Sequence, residues 1–217
     1  MTFNPPTIAA IILFGSGILA GIPVLAKGFS RRGKGIVYQS DFLLQRAPQL
    51  VSVLNIFLIV TSFLVCNDPV TTIPLPRLFS LVTTNPPTAF ETVISWVGIA
   101  ILLSGLIFMI GGWYSLGESF STDAELLEGQ KLREGGLLQF VMHPAYSGII
   151  QCSIGGSLAS LSPLCLCLTL FVIAPLWLRR AKYEEELLIK TFGDEYKKYA
   201  QKLKWRRLIP KFIPIGV

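Results

Sequence analysis

Several apolar runs, each near the length of a bilayer crossing and almost free of charge, leave a chain like this few folds to adopt. Five such runs stand out: Thr7 to Ala26, about Leu50 to Cys66, Glu91 to about Gly112, about Pro144 to Leu161, and about Pro163 to Leu178. A helix crosses the hydrocarbon core in roughly 20 residues. Only 15% of the 217 residues are charged, while 52% are hydrophobic. A soluble domain carries about 25% charged residues. The apolar surplus therefore faces lipid, and the length leaves no room for a separate soluble domain. The expected fold is all-α: a polytopic helical membrane protein of about five transmembrane helices, with a tight C-terminal helical hairpin and a cytosolic amphipathic C-terminal helix. Residues 1–112 supply the N-terminal helices and 113–217 the chemically loaded half, in one integrated domain.

The fourth and fifth runs are joined only by Leu161-Ser162-Pro163. Ser162 suits a helix N-cap with Pro163 at the first helical position, so the two runs form an antiparallel hairpin. Basic residues set the orientation. Lys27 to Arg46 and the tail after Arg179 are rich in Lys and Arg, whereas the Pro- and Thr-rich loop Asn67–Ala89 holds only Arg77. The positive-inside rule then puts the first loop, the Trp113–Met142 segment and the C-terminus in the cytosol. The N-terminus lacks the positive region of a cleavable signal.

Net charge is +6, and eleven of the nineteen Lys and Arg residues fall between Arg179 and Lys211. Next to membrane spans this points to anionic headgroups, not nucleic acid. Cys66, Cys152, Cys165 and Cys167 and the single histidine have no zinc-type spacing, so no metal is expected. The cysteines are read as small buried apolar residues. From Ala181 to Lys204 apolar and aromatic residues recur every three to five positions, the pattern of an amphipathic helix, with a break expected near Phe192-Gly193. The Leu208-Ile-Pro-Lys-Phe-Ile-Pro end reads as an extended segment on the membrane or the protein. Gly17 and Gly21 form a GxxxG, read as a close helix contact.

Three groups of residues carry chemistry. His143-Pro144-Ala145-Tyr146 makes a fixed polar corner where the fourth run begins, with Pro144 locking the helix start. Arg180 and Glu184 are i and i+4 on one helix face, and at most one of Glu185 and Glu186 joins Glu184 at a site. The Glu128–Gly136 stretch ends in a glycine pair that allows close backbone approach to a ligand.

The combination His143-Pro144-x-Tyr146-x-Gly148, a short-looped hairpin, Glu184-Glu185 and Phe192-Gly193-x-x-Tyr196-x-x-Tyr199, closed by Ile209-Pro210 and Phe212-Ile213, resembles the isoprenylcysteine carboxyl methyltransferase family. This is a group of membrane-embedded methyltransferases dependent on S-adenosyl-L-methionine, with phospholipid methyltransferases as relatives. The likeness covers about Trp113 to Val217. It implies a donor pocket of Gln130, Lys131, Leu132, Arg133, Leu138, His143, Pro144, Ala145, Tyr146 and Glu184, with Glu185 as a further member. It also implies a substrate-contacting Arg180, a prenylated protein or lipid as acceptor, and an endoplasmic reticulum membrane with the site facing the cytosol. Two positions depart from the family pattern. Met142 stands where an Arg usually precedes His-Pro, and Leu138 where a pocket Tyr is usual, which implies altered donor affinity or another acceptor.

Methyl transfer from a sulfonium needs positioning more than acid–base help. A carboxylate acceptor is already anionic at neutral pH; an amine acceptor would require a base such as Glu185. The residues leave both open, along with a non-enzymatic or degenerate membrane scaffold, and the resemblance favours the carboxylate of a prenylated cysteine.

Overall fold

A computed structural model describes residues 5–38, 41–66 and 88–210. The loop up to Pro87 and the closing run after Pro210 lie outside them. A helix stands over each of the five apolar runs: α1 (Pro5–Arg31), α3 (Ala47–Cys66), α4 (Ala89–Leu116), α5 (Pro144–Ala159) and α6 (Pro163–Phe192). The four-residue α2 (Phe42–Gln45) and the terminal α7 (Asp194–Lys202) complete the helices. A two-residue antiparallel pair joins β1 (Val37–Tyr38) to β2 (Glu125–Leu126). Three stretches are long and apolar enough to cross a membrane: Ile8–Arg31, Ala89–Ser119 and Pro163–Phe192; Ala47–Phe63 is a shorter apolar helix.

Local chemistry explains the helix limits. Thr88 and Glu91 form a capping box at the start of α4: Thr88 donates its backbone N–H and its hydroxyl to Glu91, and Glu91 N–H returns to the Thr88 hydroxyl. The hairpin turns as expected. Ser162 Oγ accepts from Cys165 N–H with Pro163 in the first turn, and Leu161 takes a left-handed φ of 52°. In α6 the turn Thr169–Ile173 is widened, and the Ala174 N–H reaches back to Thr169 O. Pro175 lies just beyond it; its ring would strike the carbonyl four residues back, and the wide turn makes room. Two helices outrun the apolar runs they cover: α4 continues to Leu116, and α6 continues through the Arg180–Glu184 turn to Phe192. Gly112 is a point of close approach: a Cβ there would meet the backbone N of Ala145 at 2.6 Å. The break at Gly193 is present, with φ 53° and ψ −123° between α6 and α7.

The chain forms two compact units. One comprises the residues up to Ile18, Gln49–Leu106 and Ile149–Pro175; the other comprises Leu19–Pro48, Ile107–Gly148 and Leu176 onward. The first is glycine-packed. A Cβ on Gly98 would run into Ala159 N and Gly155 O, and one on Gly155 into Leu102 N and Gly98 O. Inside it Asn55 Nδ2 donates to Thr169 Oγ1 (3.1 Å) and Ser104 Oγ to Gln151 Oε1 (2.8 Å), side-chain bonds of the kind that link apolar helices. Of the cysteines, Cys152 and Cys165 are buried as expected, but Cys167 is exposed on α6, because its helix face points out of the packing. Cys66 falls outside the residues whose side chains are described. In the second unit Gly21 lies against Trp113, and in the first Gly17 against Leu106, the close helix contact read from the GxxxG.

Replacing Gly155 by Ala forces a methyl onto backbone, which flexible side chains cannot relieve. We expect a loss of about 1–3 kcal/mol, read as a lower unfolding temperature in detergent micelles. Gly15→Ala, in the same unit but with open space at its Cβ, should be neutral or slightly stabilising.

Candidate functional site

The second unit collects the polar residues. α5 starts at His143, whose carbonyl accepts the Ser147 N–H (3.0 Å), so the imidazole sits at the helix N-cap with Pro144 in the first turn. The ring of Tyr146, three residues on, stacks on it with centroids 5.4 Å apart and planes 2° from parallel. The facing turn of α6 presents Arg180, Glu184 and Glu185. Glu184 and Glu185 point about 100° apart round the helix, and this divergence lets them clasp the imidazole. Glu184 Oε2 lies 3.6 Å from Nδ1, and Glu185 Oε1 3.3 Å from Nε2. The Tyr146 hydroxyl donates to Glu184. Glu186 is exposed. His143, Tyr146, Arg180, Glu184 and Glu185 are thus in one cluster, with Pro144 and Ala145 buried beside them.

Arg180 is 2% exposed. Its Nε–H points at the Tyr146 hydroxyl (3.0 Å) and Glu184 Oε1 (3.4 Å), Nη1 donates to Gln45 O (3.3 Å) and Nη2 to Thr122 O (2.8 Å). The guanidinium also stands 5.5 Å from the Trp177 ring centre. Gln45, the last residue of α2, and Thr122, just before β2, belong to stretches that are themselves tied together. Gln45 Nε2 donates to Ala124 O (3.1 Å) and Gln45 Oε1 accepts from Ala124 N (2.8 Å). Asp123, buried, takes Arg46 at 2.7 Å and Arg32 at 3.4 Å. Glu125 accepts the backbone N–H groups of Gly33 (3.1 Å) and Gly35 (2.8 Å). Arg179 points outward to Asp41, at 3.3 Å, as a snorkelling helix-end residue would.

The remaining sequence candidates lie apart. Gln130 closes its own turn, its Oε1 accepting from Leu127 N (3.0 Å), and Lys131 and Arg133 are exposed. Among the described residues no hydrogen bond or ion pair joins these three to the imidazole cluster. Leu132 packs on a core of Leu138, Met142, Tyr196, Tyr199, Ala200 and Leu203. Leu138 offers its carbonyl to the Tyr199 hydroxyl at 2.8 Å. Burial, reinforced by Glu134, pushes the Tyr199 phenol above its ordinary range, which keeps it a donor. The segment after α7 folds back as an extended strap: Met142 N and His143 N donate to Arg206 O (2.8 Å) and Arg207 O (3.0 Å), and Ser147 Oγ donates to Leu208 O. Arg207 Nε reaches both Glu185 oxygens, at 2.8 and 3.0 Å. Gln45, Thr122, Asp123 and Arg207 were not singled out by the sequence. Two of them contribute backbone carbonyls, which leave no mark in it, and Arg207 is one basic residue among many in the tail.

Fold and cluster together define a polytopic helical membrane protein with its polar residues gathered at one imidazole. Residues 93–195 match PEMT, the phospholipid methyltransferase family. The chain is 30% identical over 112 residues to a probable protein-S-isoprenylcysteine O-methyltransferase of Oryza sativa subsp. indica, covering 51% of this chain and 59% of that one. It is 28% identical over 109 residues to the protein-S-isoprenylcysteine O-methyltransferase of Saccharomyces cerevisiae, covering 49% and 46%. A solved structure of the eukaryotic intramembrane Ras methyltransferase ICMT, at 20% identity, superposes with a TM-score of 0.53 over 92% of this chain and 66% of that one, a likeness of fold. The matches thus span about half the length of the curated relatives. On these findings the chain is similar in sequence to phospholipid and protein-S-isoprenylcysteine methyltransferases, and in fold to the Ras methyltransferase.

Removing the Arg180 charge strands Glu184 and two carbonyls in a buried setting. Arg180→Gln should cost about 3–5 kcal/mol, and Arg180→Lys should recover little of it, since an ammonium cannot span the Gln45, Thr122 and Tyr146 sides at once. Arg179→Gln, on an exposed pair, should change stability by less than about 1 kcal/mol. Thermal unfolding in detergent reads all three.

Proposed function

We propose that the chain transfers a methyl group from S-adenosyl-L-methionine to the C-terminal carboxylate of a prenylated cysteine. The observation that carries this reading is the single cluster in which the His143–Tyr146 corner meets Arg180, Glu184 and Glu185, residues 34 to 42 positions apart in sequence. The donor set fits such a cofactor. Glu184 spends lone pairs on Tyr146 and Arg180, keeps acceptor capacity, and has a 22% exposed side chain able to take hydroxyl or ammonium groups. When bound, the donor supplies a methyl on a sulfonium, already activated toward a nucleophile. Glu184, His143 and Tyr146 hold its polar parts, and Gln130, Lys131, Leu132, Arg133 and Leu138 belong to its surroundings in this proposal.

The acceptor carboxylate needs orientation, not deprotonation. Arg180 is the residue we assign to it. The guanidinium has five N–H groups, of which Nε–H and one on each Nη are engaged. One N–H on each Nη stays available to an anion that reaches it. An amine acceptor would need a proton acceptor, and Glu185 is poorly suited, because both of its oxygens take the Arg207 Nε–H. This favours the carboxylate over a phospholipid amine. The basic loops around the cluster favour a site on the cytosolic face, in the endoplasmic reticulum if the chain works on prenylated proteins.

Purified protein with tritiated donor should label a farnesylcysteine analogue and not phosphatidylethanolamine. Labelling only of phosphatidylethanolamine would move the function to a phospholipid, and labelling of neither would end both readings. Glu184→Gln should weaken donor binding about tenfold or more by calorimetry, and should also lower the unfolding temperature, because it takes the carboxylate from the buried Arg180.

A further inference from the structure

We infer that Arg207 is a positioning residue of the site, acting through Glu185 to hold the His143 imidazole; the inference rests on the function proposed above. Arg207 Nε donates to both oxygens of Glu185, and Glu185 Oε1 lies 3.3 Å from His143 Nε2. The Glu185 side chain is 5% exposed and that of His143 7%. An ordinary surface pair looks different: Lys202 and Glu134 meet at 3.2 Å with side chains 68% and 39% exposed.

The chain takes a costly path to put Arg207 there. After α7, Lys204 and Trp205 adopt φ of 52° and 55°, two consecutive non-glycine residues in the left-handed region. Trp205 N–H returns to Ala200 O (2.9 Å), and the chain reverses so that Arg206 and Arg207 accept the backbone N–H groups of Met142 and His143. One short strap therefore grips His143 twice: its backbone through a carbonyl, and its imidazole through Glu185. The other side of the ring repeats the arrangement. Glu184 faces Nδ1, and Arg180 faces Glu184. Each imidazole nitrogen has a carboxylate, each carboxylate has an arginine, and the four formal charges cancel. Tyr146, stacked on the ring, and Tyr196, which feels both carboxylates, are the other titratable groups facing this pair. Without Arg207 the Glu185 carboxylate loses the contact that sets its rotamer, and the ring loses a fixed partner on Nε2.

The chain has one histidine, so its imidazole signals need no assignment. Full-length protein in detergent, labelled with 13C,15N-histidine, should give one sharp imidazole set in the wild type and in the surface control Lys202→Gln. Arg207→Gln should broaden or split that set, and Arg207→Lys, whose ammonium can still hold one Glu185 oxygen, should restore it. In the methyl-transfer assay Arg207→Gln should weaken donor affinity and lower kcat/KM about tenfold, because His143 is assigned to the donor, and Arg207→Lys should recover most of the loss. If Arg207→Gln fails to fold, Glu185→Gln cuts the same link and should disturb the same signals. An imidazole spectrum unchanged in Arg207→Gln or in Glu185→Gln, the same disturbance in Lys202→Gln, or no rescue by Arg207→Lys would overturn the assignment. A wild type that methylates neither acceptor would defeat the proposed function alone, because the histidine spectra decide the role of Arg207 without it.

Discussion

The guanidinium of Arg180 is the contact on which the second unit is built. A charge at 2% exposure is costly unless each of its nitrogens finds a partner. It stands on α6, a 30-residue helix. Other stretches bring those partners to the arginine. Gln45 and Thr122 turn their carbonyls to it across 135 and 58 positions of sequence, and Tyr146 brings its hydroxyl from the start of α5. These stretches bury Leu44, Phe120, Ala124 and Leu126. Polar ties hold them: the reciprocal amide bonds of Gln45 and Ala124, and Asp123 between Arg32 and Arg46. The first loop and the 117–126 segment are thus held by polar ties to a buried charge as well as by their apolar side chains.

The same logic places the imidazole. Glycine at position 112 lets α4 approach the backbone of Ala145, which sets where α5 begins. His143, at the N-cap, then meets two consecutive glutamates of α6. Residues i and i+1 of a helix do not share a face, but a ring with polar atoms on two sides can engage both. Glu184 and Glu185 would be a repulsive pair in isolation. Arg180 on one and Arg207 on the other remove most of that repulsion.

What could be read from the sequence follows from what helical periodicity can encode. The i, i+4 relation of Arg180 and Glu184, the Ser162-Pro163 turn, the break at Gly193 and the corner at His143-Pro144 are local patterns, and all are in the structure. The ends of α4 and α6 were less legible: hydropathy marks where an apolar run stops, not where a helix does, and the close approach at Gly112 leaves no mark in it. Gln45, Thr122 and Arg207 could not be found this way. They act over long sequence separations through backbone carbonyls or through one cation among eleven, and no spacing rule singles them out.

Leu138 and Met142, the two departures from the family pattern, acquire a physical meaning in this light. Both side chains lie in the core under α7, against Tyr196, Tyr199, Ala200 and Leu203. The polar work at Leu138 is done by its carbonyl, which takes the Tyr199 hydroxyl and needs no particular side chain. At Met142 the backbone N–H pairs with Arg206 O while the side chain seats the helix. Apolar residues at these positions hold α7 in place, and α7 leads directly into the strap that grips His143. Their influence on the site runs through the placement of the C-terminal helix, so a polar residue introduced at either position would act first on that packing and only through it on the imidazole.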